Sequence, residues 1–257
     1  MNGELYQLAR LVLYAKDSLQ REKGSAFILL KYENSPVFSF LERKENGSDD
    51  TEVCLDAASW CRALQKRGLR NIYLVVFYTE NNRYLSGFSN AEKQGIVTEY
   101  TDGRTTLWTS RWQFDKAEKE WMTYYTEERF DPSGITYIYE NCREDFETVL
   151  LEIRDLARKI GHSYFERIFA DAYDILTGPD EPAIPEWAKE TMPELKGESL
   201  RLFLAASRAD VFGGMGSWND DPSGMADQKG LKEEYDRLSN ALYTSIKKAV
   251  MNVVNGQ

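Results

Sequence analysis

The apolar residues of this chain change their spacing near Cys142, and that change constrains the fold more than any single motif. From Asn71 to Thr126 the pattern is that of strands. Ile72 to Tyr78 is β-branched and aromatic, Asn81-Asn82 reads as a turn, and Arg83 to Phe88 reads as the returning strand. Gly95 to Tyr100 and Arg104 to Phe114 flank Asp102-Gly103, a dipeptide suited to a tight hairpin because both positions tolerate positive φ. Trp121 to Thr126 completes an antiparallel meander. Along Arg104 to Phe114, the side chains of Trp108, Ser110, Trp112 and Phe114 fall on one face.

Beyond Cys142 the spacing becomes threes and fours. Phe146, Val149, Leu150, Ile153, Leu156, Ala157 and Ile160 make one helical stripe. Ser163 to Leu176 is a second helix, Ser199 to Ala209 a short third, and Lys229 to Val254 a long last one with its seam from Leu231 to Val253. The Pro-rich acidic span Gly178 to Gly197 reads as a surface connection or lid with one helical turn near Trp187. Before the meander, Leu5, Leu8, Ala9, Val12, Leu13 and Leu19 predict an N-terminal helix stopped at Gly24. Ala26 to Tyr32 and Val37 to Leu41 read as a hairpin joined by Glu33-Asn34-Ser35-Pro36, followed by an acidic loop through Gly47-Ser48-Asp49-Asp50. Asp56 is placed to cap a short helix with Ala57, Trp60, Cys61 and Leu64 inside and Gly68 at its end. Strands segregated from helices give an α+β fold. It comprises an N-terminal helix and antiparallel meander sheet in residues 1–141, and a helical region in 142–257 packed on that sheet, in one compact unit.

Composition narrows the function. The 257 residues carry a formal net charge of −10, a sign that repels nucleic acid and anionic membrane and favours a basic partner. No run of about 18 apolar residues offers a membrane span, and Met1-Asn2-Gly3-Glu4-Leu5-Tyr6 lacks the basic start of a secretory signal. Cys54, Cys61 and Cys142 form no CxxC pair and read as reduced, buried thiols of a cytoplasmic protein. The one histidine, His162, leaves little for histidine-based catalysis or a zinc site and reads as a cap or surface residue. Phosphate-binding glycine loops and nucleophile elbows are missing, so no cofactor is expected. Glu127 and Glu128 are candidate acid/base carboxylates only in the sense that any neighbouring acids are, and a solvated face suits them better. Core packing against the C-terminal helices suits the aromatic strand face.

One short run concentrates the remaining signal: Phe212-Gly213-Gly214-Met215-Gly216-Ser217-Trp218-Asn219-Asp220-Asp221-Pro222-Ser223-Gly224. Glycines so clustered mark a backbone that turns sharply or is closely approached. Asn219, Asp221 and Asp227 fall on calcium-loop spacing, but Gly230 stands where the bidentate glutamate is needed. The alternative is that Asn219, Asp220 and Asp221 bond their own turn, Asp227 caps the last helix, and Phe212, Met215 and Trp218 bury the loop. Trp218, Asn219, Asp220 and Asp221 are the candidate binding residues.

The run Val211 to Asp220, with the helix through Lys232-Glu233-Glu234-Tyr235, resembles the C-terminal end of uncharacterised bacterial proteins of the toxin-immunity type. The resemblance covers about a sixth of the chain. It implies an acidic, cytoplasmic protein that binds a secreted toxin's catalytic domain to block it. Two functions follow: a non-enzymatic acidic protein that binds a basic partner, with acidic spans Glu42 to Glu52 and Asp180 to Glu198 steering it, and a carboxylate-based or divalent-metal-dependent enzyme.

Overall fold

Strand-patterned and helix-patterned segments separate in space as they do along the chain. A computed structural model describes residues 2–20, 26–43, 49–77, 82–180 and 182–257, without the side chains of residues 42, 43, 49–51 and 82. Gly24, Gly47-Ser48, Tyr78, Asn81 and Glu181, on which parts of the sequence reading fall, lie outside the described residues, as do the side chains of most of the acidic span Glu42 to Glu52. Helix α1 (Gly3–Gln20) precedes the strands β1 (Val37–Arg43) and β2 (Asp49–Cys54), and α2 (Ala57–Lys66) leads into β3 (Leu69–Phe77), β4 (Lys93–Tyr100), β5 (Thr105–Asp115) and β6 (Glu120–Arg129). Helices α3 (Cys142–Ile160), α4 (Ser163–Thr177), α5 (Glu186–Thr191), α6 (Gly197–Ala209), α7 (Asp221–Gln228) and α8 (Lys232–Asn255) complete the α+β fold.

The sheet runs β2-β1-β6-β5-β4-β3. The β3–β6 meander is antiparallel throughout. The β1–β2 hairpin joins it in parallel, with Val37 to Ser39 beside Tyr124 to Thr126, so the sheet is mixed. Two segments that read as strands are not. Ala26 to Tyr32 forms no strand, and β1 takes β2 as its hairpin partner, drawing the backbone of Asp49 and Asp50 into a strand. The physical reason is Arg10, buried on α1. It donates to the carbonyl of Ile28 at 2.7 Å and to the Glu33 carboxylate, which in turn accepts from the Leu30 amide at 2.9 Å. The backbone polar groups that a ladder needs are engaged there by side chains. Arg83 to Phe88 likewise folds as a 3₁₀ turn (Asn82–Tyr84) and further turns, because Arg83 is drawn inward.

On the even-numbered face of β5, Thr106, Trp108 and Trp112 are buried, but not against the C-terminal helices, and Phe114 at the strand's end is exposed. Trp108 meets Phe40 edge-on at 4.7 Å and Trp60 of α2 at 5.6 Å, and Phe38 stacks between Trp60 and Tyr125. From α1, Gln7 accepts from the Tyr125 hydroxyl at 2.8 Å. Asp56 caps α2 through the Ser59 amide, as its sequence predicts. On the opposite face, Val75, Val97 and Leu107 are covered by Phe130, Ile135 and Tyr137.

Helix α8 joins the helical layer to the sheet: it packs on β3, while α3 and α6 pack on α8 and α4 packs on both of those. At its end, Asn255 bonds both the amide and the carbonyl of Leu74 on the edge strand, at 2.8 and 2.9 Å. Those two groups point away from β4 and would otherwise invite another strand. The three cysteines are buried free thiols, and burial pushes Cys61 up to about 12 and Cys142 up to about 11, which leaves them unreactive near neutral pH. Among the described residues no helix is long and apolar enough to cross a membrane.

Candidate functional site

The glycine loop between α6 and α7 meets a second loop, residues 82–92, and the two cross backbone to backbone. Gly213 sits at φ +93°, and a Cβ there would lie 2.7 Å from the Ser86 carbonyl oxygen and 2.8 Å from the Gly87 nitrogen. A Cβ on Gly87 would in turn lie 2.9 Å from the nitrogen of Gly214. Neither position has room for a side chain, and Gly213 also needs a conformation that L-residues resist. That close approach is the reason for the glycine cluster.

Buried side chains fix both loops from behind. Arg83, almost wholly buried, donates to Asn219 Oδ1 at 2.6 Å, to Asn240 Oδ1 at 2.8 Å and to Asp236 at 2.6 Å, and its carbonyl accepts from Asn219 Nδ2 at 3.0 Å. Further along the loop, Glu92 accepts from Lys247 at 3.0 Å, from Tyr243 at 2.7 Å and from the Ser86 hydroxyl. Asn90 reaches Trp112 on β5 by two bonds, at 2.7 and 3.0 Å. On the glycine side, Trp218 is fully buried between Phe165 and Phe169 of α4, both edge-on at 5.1 Å.

The four candidate binding residues therefore have different fates. Trp218 has no surface to offer a partner. Asn219 bonds Arg83 across the crossing rather than its own turn. Asp220 does hold its own turn, accepting from the Gly216 and Ser217 amides at 2.7 and 2.9 Å. Asp221 opens α7 and is exposed. The sequence expectation keeps Asp221 to Gly224 in the glycine loop, whereas they open helix α7, because proline in a first turn gives up no intrahelical bond. Asp227 lies in α7 and does not cap α8. Met215 is fully exposed, so only Phe212 and Trp218 anchor the loop.

The calcium spacing also dissolves in three dimensions. The Asn219 oxygen already faces a guanidinium, and Asp227 follows Asp221 on α7. Among the described residues no three His, Cys, Asp or Glu side chains gather as a metal site. Glu127 and Glu128 project to opposite faces of β6. The first is buried and accepts from Tyr100 at 3.0 Å and Thr106 at 2.9 Å, and the second is exposed, so they share no cleft. His162 stands at the head of α4 with its ring 4.7 Å from that of Phe165.

Two clefts flank the crossing. One, of about 470 Å³, lies between the glycine loop and the α4–α6 helices, with Tyr164, Trp187, Leu204, Arg208 and Met215 in its walls. The other, of about 420 Å³, is lined by Glu4, Tyr32, Phe88, Trp112 and Trp121. Asn2 joins them: its amide donates to Asp210 of the first cleft at 3.1 Å, and its side chain donates to the Ser86 carbonyl of the second at 3.3 Å. Around this crossing the exposed large apolar side chains are Met215, Phe88 at 68% and Tyr164 at 57%, with Tyr84 and Leu85 beside them. Within this second loop the spacing of Arg83 to Phe88 matches a strand, and Gly87 is the one sign in it of a close backbone approach. No family model, curated protein or solved structure matches the chain.

Proposed function

We propose that this chain is a non-enzymatic, acidic binding protein that holds a basic protein partner, of the kind a toxin's catalytic domain presents, on the surface around the loop crossing. The observation that carries this is the exposure of Met215, Phe88 and Tyr164 over a backbone crossing that is rigidly anchored from behind. Exposed apolar groups of this size gathered beside grooves are a usual mark of a protein-binding surface. Methionine and aromatic side chains supply much of the contact energy at such surfaces. A surface organised before the encounter loses less entropy on binding. The net charge of −10 favours a basic partner and a salt-sensitive association rate. Cytoplasmic residence is part of the same proposal and is consistent with three reduced thiols.

The test starts from the gene neighbourhood, where an adjacent polymorphic toxin is expected, and continues with calorimetric titration of that toxin's catalytic domain against the parent protein, Met215→Asp and Phe88→Asp. Both side chains are exposed, so the unfolding midpoints are expected to stay near that of the parent protein. Affinity is expected to fall roughly 10- to 100-fold in each. Unchanged affinity in both variants would remove the crossing as the docking surface.

A further inference from the structure

We infer that the second cleft is a receptor for a single cationic group, the ammonium or guanidinium of a side chain that the partner inserts. The inference rests on the docking surface proposed above, since a protein seated over Phe88 would place a side chain at the mouth of this cleft.

The walls are aromatic. Trp112 and Trp121 meet at 6.0 Å with their planes at 63°, which forms a corner, and Phe88 and Tyr32 face the same space. The backbone holds Tyr32 next to Trp121, whose amide donates to the Tyr32 carbonyl at 2.8 Å. Aromatic faces arranged this way attract a cation through their quadrupoles, and the attraction strengthens as the site loses water.

The lining also includes one carboxylate, that of Glu4. It accepts from the Asn90 amide at 2.8 Å, and among the described residues it makes no ion pair. The nearby cation, Lys247, is engaged by Glu92. Nor is Glu4 the cap of α1, because Asn2 Oδ1 already accepts the Glu4 amide at 2.8 Å. Burial raises the Glu4 pKa most and Glu92 raises it further, while the Asn90 amide, the Gln94 side chain and the charge of Lys247 offset only part of that. A cation in the cleft would relieve this penalty. A neutral apolar group of the same size would not.

The experiment uses two probes, tetramethylammonium and butylguanidinium, with tert-butanol as the neutral control, followed by the indole NMR signals of Trp112 and Trp121. Saturable shifts in the millimolar range are expected for the cations. Glu4→Gln is expected to weaken them about tenfold, and Trp121→Leu, which alters a half-buried wall, to weaken them comparably. Unfolding curves on both variants separate lost binding from lost fold. Absence of saturable shifts in the parent protein, or tert-butanol binding as tightly as tetramethylammonium, would overturn the inference. With the protein partner, an affinity that falls in Glu4→Gln supports it. An affinity that needs Met215 and Phe88 but ignores Glu4→Gln overturns it and leaves the docking surface standing.

Discussion

Trp218→Ala is expected to lower the unfolding free energy by roughly 3–5 kcal/mol, the usual range for removing a large aromatic from a packed core. Trp218 ties the glycine loop to two helices at once. Its ring lies against Phe165 and Phe169 of α4, its Nε1 donates to Ser239 of α8 at 2.7 Å, and its carbonyl accepts from the Tyr235 hydroxyl. Its amide closes the loop on the Val211 carbonyl at 3.0 Å. Alanine leaves a cavity and strips the buried Ser239 hydroxyl of its donor. Trp218→Phe keeps most of the ring contacts and loses the indole bond, so a cost of about 2 kcal/mol is expected. Equilibrium urea unfolding measures both. A loss under about 1 kcal/mol for the alanine variant would mean that the glycine loop is not anchored as described.

Lys247→Met is expected to cost a similar amount, roughly 3–5 kcal/mol, because it leaves the Glu92 carboxylate buried without a counter-charge. Lys247 and Glu92 are both essentially inaccessible, so solvent cannot replace the missing partner. Glu92 also accepts from Ser86 and Tyr243, so its displacement would move the residue next to Gly87 and disturb the crossing. A double variant, Glu92→Leu with Lys247→Met, removes both charges and should recover much of the loss. Unfolding of the two single variants and the double variant forms a cycle. A double variant as unstable as the sum of the singles would show that the pair is not coupled.

Much of the fold was legible because local pattern and tertiary role agree. The stripe from Phe146 to Ile160 faces the core, Asp102-Gly103 turns the β4–β5 hairpin, and Asp56 caps α2. The misread segments are those whose backbone is claimed by a distant side chain. Residues 26–33 wrap around Arg10, and residues 82–88 turn about Arg83, whose side chain is drawn inward. Nothing in the spacing of Ala26 to Tyr32 announces that a buried guanidinium on α1 will take its carbonyl. The parallel seating of β1 on β6 is equally long-range.

The candidate site was half legible. The glycine cluster showed that a backbone must be closely approached, and the structure supplies what approaches it, the Ser86–Gly87 segment. That partner is remote in sequence and carries a single glycine, so it left too small a mark. Polarity misled as well. Asn219 and Asp220 looked like contacts because they are polar and near a tryptophan, yet both are occupied within the fold. Asp221 is exposed, as are the apolar Met215 and Phe88.

Hydrogen–deuterium exchange of the free protein and of its complex with the toxin domain distinguishes docking at the crossing from docking elsewhere. Docking at the crossing predicts new protection at residues 82–90 and 211–217 and at the start of α4 around Tyr164, with β5 and β6 near Arg111 and Tyr124 unchanged. Protection confined to β5 and β6 near Arg111 and Tyr124 or to α3, with the crossing exchanging as in the free protein, would contradict it.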